Sequence, residues 1–314
     1  MKINLIAEFC QNHKGDRDNL KEMIVSASRA GFTHGKIQGL YSHELTKRPQ
    51  FEVKDAAIFR PHEAEVSRLQ GLDLSEDDES WFVHECRRVN LTPMITVFSH
   101  IGVDRAKQAG FKSIKIASYD CGSLPLIRRV GTFADEIVVS TGATHWEQVQ
   151  TTALVLKDFQ ELGIKVALLH ARTIYPTPGN QTGLARMVAL NDLDLPVGFS
   201  DHSRPDLDGL LATKFALTLG AKAVERHFTV LAKNETKDGP VSINEAEGKE
   251  ISEFAAMNLV DKVANLGPDI NRLGEFFAIS SLQPTDVEIL NSSYYRGRVA
   301  SILEGRVIFS WENF

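Results

Sequence analysis

Eight short apolar runs recur along the chain, each separated from the next by a stretch long enough to cross over a sheet. They cover residues 3–9, 34–38, 93–98, 113–118, 136–141, 165–171, 196–201 and 223–229. Most are near-continuous rather than alternating, which is how strands buried on both faces of a parallel sheet read. Helical patterns lie between them, at 17–30, 75–89, 103–109, 146–162, 205–219 and 243–266. Ser75-Glu-Asp-Asp78 has the form of a capping box, and Gly110, Gly163, Gly220 and Gly267 stand where helices stop. Eight strands, each followed by a crossover, are what a closed (β/α)8 TIM barrel requires. The expected α/β fold is therefore that barrel over residues 1–267, with a short C-terminal appendage at 268–314 packed on it or on a partner subunit. Residues 39–71 read as a long irregular loop, of the kind that forms a lid or a substrate wall.

Charge and cysteine content narrow the function. The 314 residues carry a net charge of -6, which argues against a nucleic-acid partner that would need a basic excess. Cys10, Cys86 and Cys121 are scattered and odd in number, as in a reducing cytoplasm rather than a disulfide framework. No apolar stretch reads as a signal peptide or a membrane span, so a cytoplasmic enzyme is expected.

In such a barrel the chemistry lies at the C-terminal ends of the strands. Polar residues gather there: Glu8, Lys36, Gln38, Thr96, Ser99, Lys115, Ser118, Asp120, His170, Thr173, Tyr175, Ser200, Asp201, His202 and His227. A lysine in a strand usually points to solvent. In a barrel strand, covered on both sides, it must be paired or reach the mouth. Lys36 and Lys115 with Thr96, Ser118 and Ser200 would suit an anionic, phosphorylated ligand. His202 and His227, at consecutive strand ends, suit a divalent transition metal; the alternative is that they are hydrogen-bonding residues. Glu8 and Asp120 are the candidate acid/base carboxylates, with a salt bridge to Lys36 or Lys115 as the plainer reading of Glu8. Asp201 reads as a cap for the next helix. His13 and His170 read as structural. Cys10 and Cys121 lack the partners of a nucleophile.

Nine strand-end motifs, in order, resemble the N-acetylneuraminate (sialic acid) synthase family. They are Ile6-Ala-Glu-Phe-Cys-Gln-Asn-His-Lys-Gly15, Lys36-Ile-Gln38, Leu72-Asp-Leu-Ser-Glu76, Thr96-Val-Phe-Ser99, Lys115-Ile-Ala-Ser118, Ser140-Thr-Gly142, Tyr175-Pro-Thr-Pro178, Gly198-Phe-Ser-Asp-His202 and Glu225-Arg-His-Phe-Thr229. The resemblance implies a barrel enzyme that condenses phosphoenolpyruvate with an N-acylated aminosugar, using a divalent metal. It implies that His202 and His227 hold the metal, Mn2+ foremost, with Mg2+ or Co2+ as alternatives. Lys36, Thr96, Lys115, Ser118, Thr173 and Ser200 would hold phosphoenolpyruvate. Asn12, Gln38 and Tyr175 would face the sugar, and Glu8 and Asp120 would manage protons. A homo-oligomer is possible.

Three departures fall on the acceptor side. Relatives continue into an antifreeze-protein-like domain whose arginine serves the partner's sugar site, whereas only a short tail is expected here, with Arg296 or Arg298 as the candidate substitute. The usual Gly-Pro-Asp-His stretch reads Gly239-Pro-Val-Ser242, and Asp120 stands where glutamate is common. The acceptor is thus expected to differ from plain N-acetylmannosamine. A related synthase with a phosphorylated acceptor would need an extra basic pocket, which Arg48 and Arg60 could supply. A non-catalytic ligand-binding paralogue is the reading from another class. A Schiff-base aldolase fits the two histidines less well.

Overall fold

The computed structural model describes residues 3–313. Its parallel strands close into one barrel in sequence order: β1 (Asn4–Glu8), β2 (His34–Gly39), β3 (Thr92–Val97), β4 (Ser113–Ile116), β5 (Glu136–Ser140), β6 (Lys165–Ala171), β7 (Val197–Asp201) and β8 (Ala223–His227). β8 returns to pair with β1, with Glu8 opposite His227. The (β/α)8 expectation is met, and the strand positions agree with the apolar runs.

Strand side chains alternate between two faces. One set packs outward under the helices, in a continuous core that includes Ile37, Ile95, Ile114, Val139 and Leu168. The other set points inward and forms layers. At the bottom, Glu136 accepts from Asn4 Nδ2 at 3.0 Å and pairs with His34 Nε2 at 2.9 Å. Above it lies an apolar plug of Ile6, Met94, Val138, Ala167, Leu169 and Ala223. Two residues further along β1, β3, β5 and β8 come Glu8, Thr96, Ser140 and Glu225, with Lys36, Lys115 and Ser200 on their neighbours. The plug seals the floor, so the polar layer opens only toward the C-terminal mouth.

The helices show where local signals compete. The Ser75 capping box forms as read, with Asp78 reciprocating. The stretch 205–219 is not one helix: Gly209, at φ 60°, separates Pro205–Asp208 from Leu211–Thr218. The stretch 243–266 divides likewise, because Asn258 leaves the helical conformation and caps Leu259–Leu266 by accepting from Asp261 N. The loop after β2 is more ordered than expected and holds a helix at His62–Gln70. Helices at Leu124–Gly131 and Leu184–Ala189 escaped the sequence reading.

The tail packs on the barrel mouth. Its helix Asp286–Tyr295 presents the buried Glu288, which pairs with Arg172 at 2.8 Å and accepts from Thr173 N at 3.2 Å. Arg48, expected as a possible acceptor contact, is committed to this docking: it donates to the carbonyls of Tyr294 and, at 3.1 Å, Arg296. Among the described residues no helix is long and apolar enough to cross a membrane.

Asp201 is not a helix cap. It lies against Arg226, which is fully buried, at 2.6 Å, and accepts from Thr213 Oγ1 and Ser203 N. Removing one member of such a pair strands the other in a dry interior. Arg226→Met should therefore cost about 3–5 kcal/mol in urea unfolding. An unchanged midpoint would contradict this reading of the pair.

Candidate active site

The mouth opens into a cavity of about 340 Å3. At its base four buried charged side chains interlock. Lys36 Nζ contacts Glu8, lies 3.2 Å from Glu225 and donates to Thr96 Oγ1 at 2.9 Å. Lys115 Nζ donates to both Glu225 oxygens, at 2.8 and 2.9 Å, and Ser200 Oγ donates to one of them at 2.8 Å. Two ammonium groups and two carboxylates balance to zero, which is what allows four charges to stay buried.

The group is not electrostatically uniform. Burial works against the Lys36 ammonium, but Glu225 and Glu8 outweigh it and hold its pKa above the usual lysine value. Burial pulls Lys115 down to about 8, with Glu225 opposing and Lys36 assisting. Burial also disfavours the Glu225 carboxylate, yet Lys115 and Lys36 keep it well below the usual range.

The walls carry smaller donors. Ser118 and Thr173 come together over Gly142, where a Cβ would meet Ala171 O at 2.9 Å and Ser118 Oγ at 3.0 Å. Only glycine permits that approach. Gln38 and Tyr175 also line the cavity.

His202 and His227 stand side by side, ring centroids 5.4 Å apart. His202 Nδ1 lies 2.8 Å from the Arg172 carbonyl, so that nitrogen carries the proton. Its Nε2 lone pair faces the Tyr175 hydroxyl at 3.0 Å. Burial and then His227 pull the His202 pKa down to about 3, which keeps it neutral. His227 Nδ1 is buried with no hydrogen-bond partner. Cys10, His227 and Asp238 bring one potential ligand atom each to within 4.8 Å of one another. An orphaned imidazole nitrogen beside a neutral histidine, a thiol and a carboxylate is a donor set that fits a divalent metal.

Eleven of the expected site residues meet on this one cavity: Glu8, Lys36, Gln38, Thr96, Lys115, Ser118, Thr173, Tyr175, Ser200, His202 and His227. Two do not. Asp120 turns toward the tail, where its Oδ1 accepts from Ser310 Oγ at 2.8 Å, and it lines a separate small cleft. Burial pushes its pKa up to about 6, against Ser310. Asn12 is fully buried and ties two loops together instead of facing a ligand. It donates to Phe228 O at 3.0 Å and Ser242 Oγ at 2.9 Å, and accepts from Thr236 at 2.6 Å. Ser99 is likewise structural: it caps the helix His100–Ala109 and donates to Glu44.

The profile of the NeuB family matches residues 23–262. The chain belongs to the NeuB family. It is 28% identical over 253 residues to the N,N'-diacetyllegionaminic acid synthase of Campylobacter jejuni, covering 79% of this chain and 74% of the relative. It is 25% identical to the N-acetylneuraminate-9-phosphate synthase of Drosophila melanogaster, covering 80% and 66%. The crystal structure of the N-acetylneuraminic acid synthetase of Leptospira borgpetersenii superposes with a TM-score of 0.69 at 21% identity, covering 94% and 91%. That likeness supports the barrel. The NeuB-family chain is an enzyme of the synthase type.

The sequence reading missed three kinds of residue in this NeuB barrel. Glu225 was visible as a carboxylate two residues before His227 in an apolar strand, but its partners lie on β2 and β4. Cys10 was weighed only as a nucleophile. Asp238, directly before Gly239, was passed over, and it lines the cavity.

The buried neutral His202 makes stability depend on pH. Its unfolded form takes a proton near 6.5 and the folded form resists until about 3. Between those values the unfolded state binds more protons, so stability falls as pH falls. In chelated protein, lowering the pH from 7 to 5 should cost about 2 kcal/mol more in wild type than in His202→Gln. Urea midpoints at the two pH values read the difference; equal losses would remove His202 as its source.

Proposed function

We propose that this barrel joins phosphoenolpyruvate to an open-chain N-acylated aminosugar, giving a 3-deoxy-2-keto (nonulosonic) sugar acid and phosphate. One observation carries the reading: two lysines, their counter-carboxylates and small hydroxyl donors share one closed polar layer beneath a cavity. Lys36 and Lys115 would take the carboxylate and phosphate of phosphoenolpyruvate, with Thr96, Ser118, Thr173 and Ser200 completing the hydrogen bonds. His202 and His227 would hold the metal, which supplies Lewis-acid polarisation of the sugar aldehyde. Gln38 and Tyr175 would orient the sugar.

The balance is simple. A carbon–carbon bond forms between the phosphoenolpyruvate methylene and the aldehyde carbon, and the aldehyde oxygen takes a proton. Water adds to the former enol carbon, and phosphate leaves with its bridging oxygen. Glu8, whose second oxygen accepts from Cys10 N at 2.7 Å, would take the water's proton. The buried free cysteines suit the cytoplasm.

A phosphorylated acceptor is the second reading, favoured by the rim. Arg60, Arg68, Lys237 and Arg298 line the outer cavity, and Arg298 comes from the tail. Arg60 and Arg68 share Glu65 as counter-ion. If the acceptor is phosphorylated, Lys237→Ala should raise its KM and leave that of phosphoenolpyruvate unchanged.

Phosphate release from phosphoenolpyruvate, across N-acylated hexosamines and their phosphates, tests the reading. Release should require one sugar and a divalent ion. Lys36→Met and Lys115→Met should each lower kcat/KM for phosphoenolpyruvate by about 10²–10³. Release that ignores either lysine would contradict the assignment.

A further inference from the structure

The seam where the barrel closes carries more donor atoms than two histidines. Pairing of β1 with β8 sets Glu8 against His227, so the turn after β1 lies directly beside the loop after β8. Cys10 is in that turn, at φ 46°, with its amide fixed by Glu8 and its Sγ 3.0 Å from Asp238 Oδ2. Asp238 is on the β8 loop, and Ser242 Oγ donates to its carbonyl at 2.7 Å. Asn12 binds that same Ser242 hydroxyl, which locks the two loops in register. Backbone and side-chain contacts thus hold Cys10 and Asp238 around His227, whose buried Nδ1 has no hydrogen-bond partner among the described residues.

We propose that Cys10 Sγ, His227 and Asp238 form one metal-binding set, with His202 alongside, and that it selects a thiophilic or borderline divalent ion of the zinc, cobalt or ferrous class over magnesium or manganese. The chemistry of the set decides the preference. Magnesium and manganese favour oxygen donors, whereas a thiolate with imidazole suits zinc, cobalt and iron, and manganese stands at the weak end of the divalent series. Binding replaces the thiol proton with the ion and releases it to solvent. Asn12 acts as a positioning residue, since it holds the loop of Asp238 against the loop of Cys10. The inference deepens the proposed function at its own site and replaces the manganese expectation.

Cobalt provides a readout independent of turnover. Chelated full-length protein is titrated with Co2+, without phosphoenolpyruvate or sugar, and followed by absorption. The wild type should develop a near-ultraviolet thiolate-to-cobalt charge-transfer band at one ion per chain. Cys10→Ser should lose the band, whereas Cys86→Ser and Cys121→Ser keep it. Asp238→Asn should keep the band and bind Co2+ at least about tenfold more weakly. Zn2+ should displace cobalt, and Mg2+ in large excess should not. Cobalt binding without a thiolate band in the wild type, a band that survives Cys10→Ser, equal competition by Mg2+, or no binding would each overturn the proposal. A thiolate band in a protein that releases no phosphate with any sugar would leave this metal set standing and remove the synthase reading instead.

Discussion

Everything at the mouth of this barrel depends on the buried quartet of Glu8, Lys36, Lys115 and Glu225. An ammonium or carboxylate taken out of water costs several kcal/mol unless it is paired and hydrogen-bonded. Here each charge faces its opposite, and Thr96 and Ser200 take up further hydrogen bonds. The arrangement requires closure: Glu8 and Glu225 sit on neighbouring β1 and β8, Lys36 on β2, and Lys115 across the barrel on β4. An open sheet could not bring Lys115 to Glu225. The apolar plug beneath supplies a dry floor, which strengthens the electrostatics above it and makes mispairing expensive.

In the proposed function, neutrality would also set the selectivity of the site. A cavity lined by unpaired cations would hold many anions. One whose lysines already have partners favours an anion that offers enough hydrogen bonds to compete with Glu8 and Glu225. Lys115, drawn down to about 8 by burial, is the less firmly charged of the two and the easier to redirect. The surroundings are layered in the same sense, from closed neutral base to walls of small hydroxyls to cationic rim. The tail contributes at two levels: Glu288 and Asn291 fix Thr173, and Arg298 reaches the rim.

The fold was legible because a buried parallel strand writes a continuous apolar run, and eight such runs leave few topologies. The polar ends of those runs were equally readable, so Lys36, Lys115, Ser200, His202 and His227 converge as expected. What could not be read was pairing across the barrel. Glu225 shows its meaning only once β4 and β8 face each other through the interior. Loop residues failed for a different reason. Asn12 and Asp120 carry the chemistry of a site, yet their partners Thr236, Ser242 and Ser310 are distant in sequence and turn them into structural ties. Arg48 and Arg60, from one loop, part in the same way: one docks the tail and the other reaches the cavity.

In the proposed function the buried quartet receives phosphoenolpyruvate. A crystal structure with phosphoenolpyruvate bound tests it most directly. Its carboxylate and phosphate oxygens should lie within hydrogen-bonding distance of Lys36 and Lys115, with Lys115 drawn away from Glu225. Phosphoenolpyruvate seated only on Arg60, Arg68 and Lys237, with the quartet undisturbed, would contradict it.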